Sequence, residues 1–371
     1  MLDRSRFMKE VIRVEERLFF DASSEYEYIR ILWDILRNDT AFIDTVKNAD
    51  ASLMLPTWQD EIYQSNSILP DNFNYTTLAV DGSQIYPDRH EGTACFLVNV
   101  GSVLFKYGKS DAHVQLHSVP YLFVGDEDPL MQGSAIDYVN CAREALEFNQ
   151  AVSQAHLLSN DDPMLLLFDG SLIFWHLETK DYELRMSFLR KYCTLLFALY
   201  EMRIPYASYI SLPRNKDVVR LMNFAAQYHR EAIGNDILLE HVNDADVMRH
   251  ILPAYSYSTV FKHTAKIIEQ YPEPIRPVFV YLNVGSEIAR VEVPAWVAND
   301  KELLEMSLRI ILNQSIKGNG YPIAIAEAHE QAVVKGPDRE FFYHVIRKTA
   351  FDNQHCMCIS QKSLKKRRVG I

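Results

Sequence analysis

The sequence predicts an α/β fold, a mixed sheet flanked by helices, with helical extensions at the N- and C-termini. Short apolar runs rich in β-branched and aromatic residues alternate with longer segments of helical periodicity, as expected when strands pack under helices. One pattern also occurs twice. In Leu78–Gln84 and again in Leu166–Leu172, an apolar run is followed by Asp-Gly-Ser. At 371 residues, of which 48% are hydrophobic, the chain can bury a sizeable core.

The elements follow one another in a definite order. Helical periodicity covers residues 5–60, with separate apolar faces in its two halves. Strands are predicted at 76–81, 94–100 and 102–107, with Gly101 at a bend or bulge, followed by a helix at 136–158, a strand at 164–169, a helix at 182–202 and a strand at 206–210. Later elements are a helix at 216–227, paired strands at 278–284 and 288–293, and a helix that Pro322 opens and Gly336-Pro337 ends.

The simplest organisation is a single domain spanning 1–371. Its core is expected at 76–334 with insertions, its helical N-terminal extension at 1–70 and its C-terminal extension at 335–371. Three antiparallel strands that lead through a helix into a parallel fourth strand match the ribonuclease H-like topology. In that plan the first and fourth strands are neighbours, which would bring Asp81 and Asp169 side by side.

Two carboxylates at one edge of a sheet favour a metal-dependent phosphodiester cleaver. A carboxylate at the end of a buried strand is costly unless it is paired, and a divalent cation is a common partner. The intervening helix offers two more candidates, Glu144 and Glu147, which both lie off its apolar stripe. Periodicity alone does not say whether they face solvent or the catalytic edge, and Asp-Gly-Ser is also a common turn sequence.

Composition restricts the other possibilities. A net charge of -11 argues against a protein that coats nucleic acid, although a catalytic carboxylate cluster is itself acidic. Local basic groups are Arg214, Lys216 and Arg220, and the tail Lys365–Arg368. Such a tail is typical of a solvated end, and a contact with DNA is the alternative. The five scattered cysteines and the lack of a long apolar run indicate a cytoplasmic protein. Cys356 and Cys358 lack the second ligand pair that a zinc site needs.

Five segments, in order, resemble motifs of the NurA family of DNA double-strand-break repair nucleases. They are Leu78–Ser83, Arg143–Glu147, Leu167–Leu172, Tyr209–Pro213, and Gly320–Pro322 followed by Ala326–His329. The resemblance extends from about Thr76 to Val334. It implies that Asp81, Glu147, Asp169 and His329 hold Mn²⁺ or Mg²⁺, with His329 as ligand or proton shuttle and Tyr321 positioning the phosphate or water.

The resemblance also implies an activity and partners. Family members resect DNA ends with 5'-to-3' exonuclease and single-strand endonuclease activity, as homodimers that dock on a hexameric HerA-type ATPase. The apolar faces of residues 5–36 have no obvious partner in a compact core, so they are expected to bury against a second copy or this ATPase. Two alternatives stay open: a non-catalytic dimeric adaptor that regulates a DNA translocase, and another ribonuclease H-like nuclease that acts on RNA.

Overall fold

The computed structural model describes residues 2–18, 23–39, 41–92, 95–108, 112–125, 134–158, 162–230, 238–355 and 360–361. Cys356, Cys358 and the basic tail lie outside them. The helices are α1 Arg4–Leu18, α2 Ser23–Asn38, α3 Phe42–Lys47, α4 Ala135–Gln154, α5 Tyr182–Glu201, α6 Asp217–Tyr228, α7 Asp244–Ile251, α8 Ala295–Ala298, α9 Lys301–Lys317, α10 Ile323–Ala332 and α11 Gly336–Asp352. The strands are β1 Thr57–Trp58, β2 Ser65–Ser67, β3 Tyr75–Ile85, β4 Cys95–Tyr107, β5 His113–Val124, β6 Met164–Asp169, β7 Tyr206–Ile210, β8 Ser256–Ser258, β9 Phe261–Lys262, β10 Pro277–Asn283 and β11 Ile288–Pro294.

The chain divides into two compact units. The first contains Met1–Ser67, Ser211–Thr264 and Phe279–Arg290, and the second contains Ile68–Ile210, Ala265–Val278 and Val291–Ile371. Each unit has its own cluster of buried apolar side chains. No helix in the described part of the chain is long and apolar enough to cross a membrane.

The second unit contains a mixed sheet with the strand order β7-β6-β3-β4-β5. Strands β3, β4 and β5 are antiparallel neighbours, whereas β6 pairs in parallel with both β3 and β7. Helices α4 and α5 cover one face through an apolar core that includes Phe148 and Phe188. The predicted α/β class and the pairing of the first and fourth strands are thus confirmed, and the order is compatible with the ribonuclease H-like plan.

The strand predictions need three corrections. Strand β3 does not end at Asp81 but continues to Ile85 along β4. Gly101 marks no bend, because it pairs with Asp81 in the middle of a continuous β4. A Cβ atom at Gly101 would lie 2.4 Å from the backbone N of Ala332, so glycine is needed here for the close approach of α10.

The third strand of the meander is β5, which the sequence did not reveal. Its side chains are exposed or half-buried along its whole length, and the apolar residues that alternate in its first half, Val114 and Leu116, are exposed. It also carries Pro120, which a strand at the edge of a sheet tolerates. The Gly336-Pro337 pair, predicted as a helix stop, instead begins α11, where proline suits the first turn.

In the first unit, helix α2 has a partner within the chain. Its residues Tyr28, Ile29, Leu32 and Leu36 are buried in a core with side chains of α6 and α7. The expectation that all apolar faces of residues 5–36 lack a partner in the core is therefore wrong for α2. Helix α1 differs, because its large apolar residues, among them Phe7 and Ile12, are exposed.

A buried ionic network stabilises the first unit. Arg290 is fully buried, with Nη1 2.5 Å from Asp217 Oδ2, and His263 Nε2 lies 3.1 Å from Asp217 Oδ1. Desolvation raises the pKa of Asp217, but the His263 hydrogen bond and the Arg290 charge outweigh it and hold the pKa well below its ordinary value. Two predicted basic groups have structural partners, since Arg220 pairs with Asp217 and Lys216 donates to the Glu240 carbonyl.

Candidate active site

Asp81 and Asp169 emerge at the same edge of the second unit's sheet. Parallel pairing of β3 with β6 ends at Val80 opposite Phe168, so the two aspartates are the next residues on neighbouring strands. Asp81 Oδ1 accepts the Gly82 amide at 2.8 Å, and Asp81 Oδ2 lies 2.8 Å from His329 Nδ1. Two predicted site residues far apart in sequence are therefore in direct contact.

His329 reaches Asp81 because helix α10 is fastened onto β3 and β4. Ser83 Oγ donates to the Ala332 carbonyl at 2.6 Å and accepts the Val334 amide at 3.0 Å. Asn99 donates to the same Ala332 carbonyl at 2.8 Å. These bonds, together with the space left by Gly101, fix the helix that carries His329.

Glu147 reaches the site because β3 and α4 approach closely at Gly82. A Cβ atom at Gly82 would lie 2.4 Å from Glu147 Oε1, so a larger residue would displace that carboxylate. Arg143, one turn earlier on α4, donates from Nη1 to Glu147 Oε1 at 2.6 Å and to the Gly82 carbonyl at 3.1 Å. The glycine and the arginine together set the position of Glu147.

Glu144 faces the same cleft but has different partners. Its Oε2 lies 3.1 Å from His176 Nε2, and the nearby Tyr192 hydroxyl donates to the Cys141 carbonyl at 2.8 Å. Glu147, in contrast, feels the charges of Asp81 and Asp169 directly. The geometry thus separates the two glutamates that periodicity left equivalent.

Asp169 is held from two sides. The Tyr321 hydroxyl hydrogen-bonds its carboxylate and the Tyr321 ring packs edge-on against Tyr209, while the Gly170 amide next to it donates to the Tyr209 carbonyl at 3.3 Å. The following loop is fixed by Glu292, a buried residue of β11. Its Oε2 accepts the Leu172 amide at 2.7 Å, the Ser171 hydroxyl at 2.9 Å and the Ile173 amide at 3.3 Å.

Asp81, Glu147 and Asp169 line a single cleft of about 370 Å³. Four carboxylates (Asp81, Glu144, Glu147 and Asp169) and two basic groups (Arg143 and His176) form its charged surface. Desolvation and the charges of the other acids raise the pKa of Glu147 to about 8 although Arg143 opposes the rise. Desolvation and Asp81 likewise raise the pKa of Asp169, and the Tyr321 hydrogen bond opposes this rise.

The cleft has the donor set that a hard divalent cation requires. Oxygen ligands suit Mn²⁺ and Mg²⁺, and a cation would offset the desolvation and the mutual repulsion that raise the pKa values of Glu147 and Asp169. The Arg143 guanidinium supplies part of that positive charge. Within the described ranges, no three His, Cys, Asp or Glu side chains are already arranged to hold an ion. The residues fit the metal in chemistry, with Asp81, Glu147, Asp169 and His329 as the groups that would hold it.

Sequence reasoning missed four residues of this cleft and its support: Arg143, Trp175, His176 and Glu292. Arg143 lies within a segment that resembles a family motif, yet nothing in its spacing indicates a bond to Glu147 four residues on. Glu292 alternates with apolar residues in a strand, a pattern that predicts a solvent-facing side chain. It is buried instead, as is every residue of β11.

Residues 75–334 match the family model described as "NurA domain". The chain belongs to the NurA family. Solved structures similar to it include NurA with manganese (13% identity, 88% of this chain and 98% of that chain covered, TM-score 0.41), NurA (14%, 88% and 98%, 0.42) and NurA bound to dAMP and manganese (14%, 85% and 94%, 0.40). No curated protein matches the sequence.

Membership of the NurA family agrees with the sequence prediction, and the matched range is close to the predicted core. All five predicted site residues lie within it. The structure brings Asp81, Glu147 and Asp169 to one cleft and attaches His329 and Tyr321 to the two aspartates.

Proposed function

We propose that this NurA-family chain is a metal-dependent deoxyribonuclease that hydrolyses phosphodiester bonds at the cleft around Asp81. The observation that carries the proposal is the convergence of Asp81, Glu147 and Asp169 on one cleft from three separate elements. Bound Mn²⁺ or Mg²⁺ would supply Lewis-acid activation of the scissile phosphate and of the attacking water.

The chain's own residues have distinct parts in this proposal. Asp81, Glu147 and Asp169 provide oxygen ligands, and Arg143 holds Glu147 through Oε1 so that Oε2 can face the cleft. With Nδ1 donating to Asp81, His329 can accept a proton at Nε2 or add a ligand. Tyr321 orients the Asp169 carboxylate through its hydroxyl.

We further propose that this chain has 5'-to-3' exonuclease and single-strand endonuclease activity and acts in DNA end resection. The proposal includes a cytoplasmic homodimer that works with a HerA-type hexameric ATPase. A net charge of -11 makes the long-range attraction of DNA to this protein weak, which supports a scheme in which a partner delivers the DNA strand. An ATPase that threads DNA would raise the local concentration of the strand at the cleft.

The test is cleavage of end-labelled single- and double-stranded DNA, and of RNA with the same sequence, with Mn²⁺, with Mg²⁺ and with EDTA. We expect metal-dependent cleavage of DNA that Asp81→Asn and Asp169→Asn abolish. Asp181→Asn is the matched control, because Asp181 is exposed and makes no capping hydrogen bond. Wild-type rates in either site variant would refute the site, and cleavage in EDTA would refute the metal.

A second experiment tests the partner across a salt series. We expect slow cleavage by the chain alone at physiological salt and faster cleavage once the ATPase and ATP are added. Tight DNA binding by the chain alone, with no gain from the ATPase, would contradict the partner-fed scheme.

A further inference from the structure

Two residues of the cleft, Trp175 and His176, have no part in the proposed hydrolysis. Both lie on the short 3-10 helix Trp175–Thr179 and line the cleft together with Asp81 and Asp169. Trp175 is half-buried against the apolar core, and 42% of the His176 side chain is exposed. An indole on the wall of a cleft otherwise rich in carboxylates needs an explanation other than core packing.

The segment that leads from Asp169 to Trp175 is rigidly held. Glu292 binds the backbone of Leu172 and Ile173, as described above. The Tyr271 hydroxyl donates to the Leu172 carbonyl at 2.9 Å and accepts the Phe174 amide at 3.2 Å. The backbone that leads into Trp175 is therefore held in place relative to Asp169, which is what a substrate-binding surface requires.

His176 is also fixed, by Glu144. The two side chains are 3.1 Å apart, and Glu144 precedes Glu147 by three residues on α4. Three residues of helix rise by about 4.5 Å, so Glu144, the partner of His176, lies about one turn from the proposed ligand Glu147. Desolvation lowers the pKa of His176, but hydrogen bonds with Cys141 and Glu144 raise it to about 9.

The charges of the cleft make His176 important for an anionic substrate. Of the two basic groups, Arg143 is 29% exposed and already binds Glu147 and the Gly82 carbonyl. His176 also pairs with a carboxylate, that of Glu144, but it has the larger exposed surface of the two, 42% of its side chain. A phosphate that enters a cleft with four carboxylates is most favourably placed beside this imidazole.

Building on the proposed nuclease function, we infer that Trp175 and His176 form a binding subsite for one unpaired nucleotide of the substrate strand. The base stacks on the Trp175 indole, and an adjoining phosphate lies at the His176 imidazole. Stacking on an aromatic side chain requires an accessible base face, which a base inside a duplex does not offer. The subsite therefore favours single strands and frayed ends over blunt duplex.

The first test is binding of a labelled single-stranded oligonucleotide to the full chain with Ca²⁺ in place of Mn²⁺. Loss of one stacked base costs about 1–3 kcal/mol, so Trp175→Ala should raise the Kd about 5- to 150-fold, while Trp175→Phe should keep it within a few-fold. Trp296→Ala is the matched control, because Trp296 is half-buried in the same unit and packs on Tyr200. It should leave the Kd unchanged.

A single abasic residue moved along the oligonucleotide separates stacking from misfolding. For the wild type, one position should weaken binding strongly, and in Trp175→Ala that position should lose its effect. His176→Gln should reduce the slope of log K against log salt by about 0.7, the value for one phosphate contact in single strands.

The outcomes distinguish this inference from the function on which it rests. If the wild type cleaves with Mn²⁺ but Trp175→Ala binds equally well and shows the same abasic profile, the subsite is refuted and the nuclease stands. If the wild type neither binds nor cleaves DNA, the proposed function fails and the subsite with it.

Discussion

Replacing Gly82 by alanine should impair catalysis while leaving the fold intact. The added Cβ would lie 2.4 Å from Glu147 Oε1, 2.9 Å from Arg143 Cγ and 3.1 Å from Glu147 Cγ. Ordinary contact begins at 3.4 Å, so Oε1 must retreat by about 1.0 Å, the difference between the two values. Oε1 is the far end of a flexible side chain and can move away, whereas the two Cγ atoms must each shift by a few tenths of an ångström, and overpacking of this kind costs about 1–3 kcal/mol.

A retreat of this size matters because a misplacement of about 1 Å near reacting groups can cost about 10²-fold in rate. We expect the single-turnover rate of Mn²⁺-dependent DNA cleavage by Gly82→Ala to fall by about that factor. Mn²⁺ affinity, followed by electron paramagnetic resonance, should weaken about 10- to 100-fold, since Arg143 and Glu147 move together.

Two other glycines provide the controls. Gly336→Ala should behave as wild type, because nothing lies within 4 Å of its Cβ position. Gly101→Ala should lower the free energy of unfolding, because its Cβ meets the backbone of α10, which cannot turn aside. If Gly82→Ala binds Mn²⁺ and cleaves as the wild type does, the position of Glu147 is unimportant and its assignment as a ligand is wrong.

Two further predictions follow from the contacts. Glu147→Gln should reduce metal-dependent cleavage far more than Glu144→Gln, and the reverse ranking would move the ligand by one helical turn. Asp217→Asn should lower the free energy of unfolding by about 3–5 kcal/mol at pH 7, because it removes the carboxylate that pairs with the buried Arg290. Since the pKa of Asp217 lies below its ordinary 3.8, its stabilising effect is present above about pH 4 and fades as the pH falls. Urea denaturation at pH 7 and pH 3 checks this, and an equal loss at both would contradict it.

The sequence predicted the centre of the sheet because that part has strong local signals. The runs that became β6 and β7 are short, apolar and buried, and their predicted bounds match the structure. Their order along the chain also placed Asp81 next to Asp169, since a crossover helix makes neighbouring strands parallel. These features depend on residues close together in sequence.

The missed features depend on contacts between distant residues. The role of Gly101 depends on α10, some 230 residues later in the sequence. The residues next to Gly101 contain no sign of that helix, so they predict only a bend. Arg290 and Glu292 are both fully buried in β11, where alternation with apolar residues suggests exposure. Their partners, Asp217 and the loop after Asp169, lie about 70 and 120 residues away, and no periodicity connects them.

The two Asp-Gly-Ser segments are alike in sequence but use their last two residues differently. Gly82 has extended backbone within β3 and is needed for the approach of Glu147, whereas Gly170 has φ +87° with open space around it. Ser83 fastens α10, and Ser171 binds Glu292. Only the aspartates perform the same task, each presenting a carboxylate at one sheet edge. The repeat therefore reflects a shared chemical requirement met by different local packing, and a substitution at Gly170 should act through backbone strain rather than through Glu147.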